Sequence, residues 1–382
     1  ADEDLAEIIN FDLYDGKIDM VIPQVGDVTP VGFTKAGKKL ATLIAKQGQH
    51  VSIDRLRRAG NGDFVTATLS VDAQSYSYHI FDLNLGTDTK ISDFYFKTKH
   101  TDALVPTETV QITARDGMKL NALLLRPKGV DGAAPMVLEV HGGPARQVKW
   151  EYHHFRQFLV NRGYAVLAVN FRGSSGLGKI YQAAGYGEYG RKMQDDLVDA
   201  TLWAIDQGIA DPNAIAINGS SYGGYASAME LVRDPDLFKA GIIEHAMLDV
   251  AYQSQYPPHS WGLYLGQWER YFGDINSPGD MEKMHQRSPI NLVAQMQAAA
   301  LMVAGKRDPV VGFEQTERFI STAKDLGKNI DSLIFENEGH GIDKWQSRIR
   351  HARRVKDFLA EHLGGRSGNW DWIEPIAAYL DK

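Results

Sequence analysis

A serine with glycine two residues to either side, in Gly219-Ser220-Ser221-Tyr222-Gly223, is the stretch of this chain best suited to nucleophilic chemistry. A serine hydroxyl is a poor nucleophile at neutral pH. It needs an imidazole to take its proton during attack and return it to the leaving group, and a carboxylate to fix the imidazole tautomer and stabilise its transient positive charge. Candidates for both follow downstream: Asp308 within Gly305-Lys306-Arg307-Asp308-Pro309, and His340 within Gly339-His340-Gly341. Ser220 is the weaker nucleophile candidate because only Ser221 has glycine at both required offsets. Asp331 and Asp343 are less well placed rivals of Asp308.

The elements around these residues give the spacing its reason. The apolar, β-branched run 214–217 enters the Gly-Ser turn, and an Ala-rich segment with Met229 and Leu231 leaves it, so strand, sharp turn and helix are expected. A serine at the apex of such a turn is strained, and side chains two positions away would collide with the neighbouring strand and helix. The helix amino terminus would aim its first N–H groups at whatever Ser221 attacks. The Tyr222 amide is the expected first oxyanion donor. A second is expected from the Gly143 amide, in Leu138-Glu139-Val140-His141-Gly142-Gly143-Pro144, where two glycines after a strand let backbone N–H groups approach a carbonyl.

With 382 residues, 43% of them hydrophobic, the chain can bury a sizeable core in one large or two smaller domains. A net charge of −7 with no dense Lys/Arg run gives no footprint for nucleic acid or an anionic membrane. The apolar runs are strand-sized, so no transmembrane helix is expected and the chain reads as soluble, cytoplasmic or periplasmic. With no cysteine there is no disulfide, thiolate nucleophile or thiolate metal site. His153-His154 and Glu244-His245 lack the spacing of paired metal ligands and no H-E-x-x-H is present, which excludes a metallopeptidase. Neither a Walker motif nor a dinucleotide fingerprint occurs, so no cofactor is expected.

Residues 17–100 read as short strands with turns between them: 31–33, a turn over 36–39, then 40–45, 50–56, 64–71 and 76–83. Two cycles of about 40 residues suggest four-stranded units of propeller-blade size. Residues 97–109, polar with Pro106, read as a linker. Beyond it strands are expected over 110–113, 120–126, 136–140, 164–169, 215–217, 240–243, 301–303 and 333–335. Helices are expected over 152–162, 195–207, 314–326 and 347–362. That alternation predicts an α/β fold, a doubly wound and mostly parallel sheet with its active groups in loops at the carboxyl ends of strands. The order Ser221, Asp308, His340 is the nucleophile, acid, base order of an α/β-hydrolase.

Five motifs in order, Val140-His141-Gly142-Gly143-Pro144, Val169-Asn170-Phe171-Arg172-Gly173-Ser174-Ser175-Gly176, Gly219 to Gly224, Gly305 to Asp308 and Gly339-His340-Gly341, resemble those of the prolyl oligopeptidase family of serine peptidases. The likeness covers residues 107–364 and is greatest to the acylaminoacyl-peptidase and dipeptidyl-peptidase branches. It implies an α/β-hydrolase domain over 106–382, preceded over 1–105 by a small all-β region like the last blades of a β-propeller. It also implies a short peptide as substrate, with the homo-oligomeric state left open. Most of such a propeller is absent from this chain, and the chain is therefore expected to be part of a longer one. Between residues 244 and 301 lies a loop-rich insertion with Tyr252, Tyr256, Trp261, Tyr264, Trp268, Tyr271 and Phe272. In the resembling family this region lines the side-chain pocket; about two-thirds of these rings are assigned to packing, and Tyr271 is the first choice as a pocket member. Arg172 is the candidate to orient a substrate carbonyl, an internal ion pair being its other reading. The expected function is a metal-free serine peptidase working through an acyl-enzyme, with a carboxylic ester hydrolase or a non-catalytic binding module as alternatives.

Overall fold

Alternating strands and helices from residue 108 onward build one eight-stranded sheet. The computed structural model describes residues 7–9, 17–22, 29–48, 51–59, 62–71, 76–93, 103–262, 265–368 and 373. The sheet strands are β8 (Glu108–Thr113), β9 (Lys119–Leu125), β10 (Ala134–Val140), β11 (Ala165–Asn170), β12 (Ala210–Ser220), β13 (Ala240–Glu244), β14 (Ala299–Gly305) and β15 (Ile330–Phe335). Their order across the sheet is β15-β14-β13-β12-β10-β11-β9-β8; the six from β10 to β15 pair in parallel, and β9 and β8 close one edge antiparallel. The sheet is therefore mixed, mostly parallel as expected.

Both faces are covered, which is why strands β11, β13 and β14 are buried along their whole length rather than alternating. One face carries α4 (Lys192–Asp206), α5 (Tyr222–Arg233) and α9 (Phe313–Asp325), joined to it through Leu197, Met229 and Phe319. The other carries α2 (His154–Asn161) and α10 (Trp345–Leu363), through Leu159, Val355 and Leu359. Between strands run α3 (Lys179–Ala183), α6 (Val250–Gln255), α7 (Leu265–Phe272) and α8 (Pro278–Gln286). The segment between residues 244 and 301, expected to be loop-rich, is thus largely helical. Ser277 caps α8 by accepting from the Asp280 amide, with Pro278 at the first helical position.

The amino-terminal part holds a four-stranded antiparallel sheet, β4 (Val51–Arg58), β5 (Phe64–Val71), β6 (Ser77–Asp82) and β7 (Thr87–Asp93). A three-stranded one, β1 (Glu7–Ile9), β2 (Met20–Ile22) and β3 (Val31–Gly32), accompanies it. The expectation of an all-β region is corrected here, because residues 35–45 form helix α1 (Lys35–Ala45) rather than a turn and a strand. Thr34 caps that helix by accepting from the Gly37 amide at 3.1 Å, and Leu40, Leu43 and Ile44 fall at helical spacing onto a core with Val51, Val65 and Phe81. Gly37 has a packing reason: a Cβ there would lie 1.8 Å from the Asp19 carbonyl oxygen. Of the expected linker over 97–109, residues 97–102 lie outside the described residues, and Glu108 and Thr109 already belong to β8. Among the described residues no helix is long and apolar enough to cross a membrane.

Candidate active site

Strand register brings the functional loops level. Gly219 of β12 lies beside Val140 of β10 and Ile243 of β13, Glu244 lies beside Val303 of β14, and Gly305 beside Phe335 of β15. The loops carrying Gly143, Ser221, Asp308 and His340 therefore leave the same edge of the sheet. Side chains 87 and 119 residues from Ser221 in sequence, at 308 and 340, come to one place through parallel pairing alone.

Ser221 sits at φ 61° and ψ −118°, a left-handed conformation that side chains seldom adopt, between the end of β12 and the first turn of α5. The turn is possible only with glycine around it. A Cβ on Gly219 would lie 2.4 Å from the Gly223 carbonyl oxygen, and one on Gly223 would lie 2.0 Å from the Val140 oxygen. The Ser221 N–H donates to the Glu244 carbonyl at 2.9 Å, tying the apex to β13.

His340 Nδ1 is 2.7 Å from Asp308 Oδ2, and Asp308 Oδ1 accepts from the amides of Val310 at 2.8 Å and Val311 at 2.9 Å. Burial opposes ionisation of Asp308. The imidazoles of His245 and His340 and the Val311 amide outweigh it and hold the carboxyl well below the usual carboxylate range. A carboxylate can only accept, so Nδ1 of His340 carries the proton and Nε2 is left with a free lone pair. His245, absent from the candidate residues, also approaches Asp308: its Nδ1 lies 3.7 Å from the same Oδ2, an electrostatic contact rather than a hydrogen bond.

The loop bearing Gly143 is braced by His141. Its ring stacks on Phe171 with centroids 4.3 Å apart, Nδ1 meets the Gly142 carbonyl at 2.8 Å, and Nε2 meets the Ser174 hydroxyl at 2.8 Å. Burial pushes this imidazole down to about 4, so it is neutral, and a carbonyl partner places its one proton on Nδ1. Gly142 C=O and Gly143 N–H belong to one planar trans peptide and point opposite ways, so anchoring the carbonyl fixes the direction of the amide. Gly143 has φ 128°, which glycine permits. Sequence reasoning quoted His141 within a motif without a role; only its neighbours in space supply one.

Ser221, Gly142, Gly143 and His340 border a cleft of about 480 Å³ whose remaining wall includes Trp261, Trp268, Tyr271 and Val310. Trp261 and Trp268 stack with centroids 4.5 Å apart. Tyr271 lines the cleft but donates its hydroxyl to the Gly173 carbonyl at 3.0 Å, so it presents an apolar flank. Tyr252 and Phe272 pack elsewhere, and Tyr264 lies outside the described residues. Arg172 does not face the cleft. It is buried, donates to Asp196 through Nε and Nη2 and to Asp116 through Nη1 and Nη2, and so occupies the internal ion pair that was its other reading.

Residues 150–366 match the prolyl oligopeptidase family as a whole. The chain belongs to the prolyl oligopeptidase family. One relative in sequence is dipeptidyl aminopeptidase BIII of Pseudoxanthomonas mexicana, 33% identical over 82% of this chain and 48% of that one. The chain thus spans about half the length of that curated relative. Among solved structures, a puromycin-hydrolyzing peptidase of Mycobacterium tuberculosis superposes with a TM-score of 0.74 at 25% identity, over 83% of this chain and 48% of that one. The acylaminoacyl peptidase of Pyrococcus horikoshii superposes with a TM-score of 0.78 at 20% identity, over 98% and 58%, a likeness of fold. The eight-stranded sheet is accordingly the α/β-hydrolase domain of this family, and homologues of the chain are serine peptidases.

Proposed function

We propose that residues 106–382 form the catalytic domain of a serine peptidase that hydrolyses short peptides through an acyl-enzyme. The observation that carries this reading is the 2.7 Å Asp308–His340 contact beside a strained Ser221 in one cleft. Nε2 of His340 takes the Ser221 proton as Oγ attacks the scissile carbonyl. The Tyr222 and Gly143 amides receive the oxyanion, and the protonated imidazole then gives its proton to the leaving amine. Water, activated by the same Nε2, releases the acyl group. Trp261, Trp268 and the Tyr271 flank hold an apolar substrate side chain.

Residues 1–105 are proposed to be propeller-like, which the four antiparallel strands β4 to β7 support by their blade-sized make-up. The Tyr152 amide donates to Ser70 Oγ at 2.8 Å, seating this sheet on the hydrolase domain. Ser221→Ala is expected to abolish both turnover and labelling by a fluorophosphonate, and full labelling of the variant would refute the assignment. A panel of dipeptidyl anilides, N-acylated anilides and acyl esters sets the substrate class. Ester turnover with no anilide cleavage would replace the peptidase by a carboxylic ester hydrolase.

A further inference from the structure

His245 takes no proton and touches no reacting atom in the peptidase chemistry proposed above. It stands where β13 ends, at φ 45°, with 1% of its side chain exposed, and neither ring nitrogen has a hydrogen-bond partner among the described residues. Buried polar groups are nearly always satisfied, so two bare nitrogens on one sequestered imidazole call for a partner not drawn from the protein. The ring lies edge-on to that of His340, with centroids 5.8 Å apart at 64°. One ligand atom from each of His245, Asp308 and His340 lies within 4.8 Å of the other two.

From this cluster we propose that His245, Asp308 and His340 bind a divalent transition-metal ion of the Zn²⁺ class, and that the bound ion switches the active site off. Two imidazoles and one carboxylate, with a fourth position for water, are a common ligand set for zinc, at about 2.0–2.2 Å from the metal. In a tetrahedral shell such donors stand about 3.3 Å apart. The His340–Asp308 spacing of 2.7 Å must open and the His245–Asp308 spacing of 3.7 Å must close, each by less than an ångström. Ions are offered two approaches: His340 borders the substrate cleft, and His245 lines a second cavity of about 580 Å³. Hard ions such as Mg²⁺ prefer all-oxygen shells and are not expected to hold here.

The inhibitory consequence follows from tautomers and rests on the peptidase reading. Metal on His340 Nδ1 takes the lone pair of the nitrogen that now carries the proton. That proton relocates to Nε2 through solvent, no other bond changes, and Nε2 can no longer accept from Ser221. The three ligands come from the ends of three different strands, so no spacing along the sequence advertises them.

The test begins with zinc binding to the full-length Ser221→Ala chain, measured by titration calorimetry, since this needs no turnover. One ion per chain is expected, with affinity weakened about tenfold or more by adding His245→Gln. In the active chain, Zn²⁺ should inhibit reversibly and EDTA should restore turnover, whereas His245→Gln, measured against its own metal-free turnover, should lose the same factor in zinc sensitivity. Co²⁺ gives a readout that needs no substitution at His245: visible bands of four- or five-coordinate cobalt, displaced stoichiometrically by Zn²⁺, are expected. Absence of calorimetric binding, equal zinc affinity with and without His245, equal effects of Mg²⁺, or only octahedral cobalt would each overturn the proposal. Zinc binding without any turnover would instead sink the peptidase reading and leave the metal site standing.

Discussion

Ser221 donates its amide to the Glu244 carbonyl, and the Glu244 side chain in turn meets His351 Nε2 of α10 at 3.1 Å. The strained apex of the turn is thus tied, through one residue, to a helix on the far face of the sheet. Neither step involves the cleft. The pair therefore stabilises the site without taking part in its chemistry.

Burial works against charge on both members of that pair. Their mutual attraction and hydrogen bond nonetheless raise His351 above its ordinary 6.5 and lower Glu244 below its ordinary 4.5. The His351 contribution is complete below about 6.5 and is lost as pH rises through its raised folded value; the Glu244 contribution is complete above about 4.5 and is lost as pH falls. His351→Gln is expected to cost about 1.5–3 kcal/mol between those values and less on either side. Urea unfolding across pH checks this, and a pH-independent difference would mean that packing alone is at stake.

Asp308→Asn separates orientation from architecture. The asparagine oxygen can keep the Val310 and Val311 amides, while its NH₂ group confronts His340 Nδ1 and forces that nitrogen to become the acceptor. Nε2 then carries the proton and cannot act as base. Turnover is expected to fall by about 10⁴-fold, with the melting temperature nearly unchanged. A loss of less than tenfold would show that Asp308 is not what sets the tautomer.

Gly223→Ala tests the tight packing of the turn. Its new Cβ would lie 2.0 Å from the Val140 carbonyl oxygen, so β10 or α5 must shift, at a cost of about 1–3 kcal/mol and with the Ser221 geometry. Gly208→Ala is the comparison. That glycine, unlike Gly223, has positive φ, 65°, but open space around it, so only the backbone penalty of about 1–2 kcal/mol applies and turnover is unaffected. Thermal melts and steady-state rates of the two variants distinguish crowding from backbone strain.

Much of this site could be read from the chain because its residues sit at strand ends punctuated by glycine, a local signal. Strand β12, the turn at Ser221 and the loops with Asp308 and His340 all carry it. Helix α1 is hidden in the sequence because Leu40, Leu43 and Ile44 occur in a run too apolar for its period to stand out, next to a Gly37 that reads as a turn until the Asp19 backbone is seen against it. His245 carries no local mark at all. Its place beside Asp308 and His340 arises only when β13, β14 and β15 align.

Arg172 illustrates the same limit and provides the last prediction. Its four hydrogen bonds to Asp116 and Asp196 bind residues 56 and 24 positions away, and Asp196 is fully buried. Burial pushes Asp196 up to about 6 despite the guanidinium, whereas the Arg172 hydrogen bonds pull the more exposed Asp116 well down. Removing the arginine leaves a buried carboxyl without its counter-ion, which typically costs about 3–5 kcal/mol. Arg172→Met is therefore expected to lower the unfolding midpoint strongly while leaving KM unchanged at temperatures where the chain is folded. Trp268→Ala should do the reverse, raising KM with little loss of stability, because its ring borders the cleft. A raised KM for Arg172→Met in a chain of unaltered stability would return this arginine to the substrate and remove it from the structural framework.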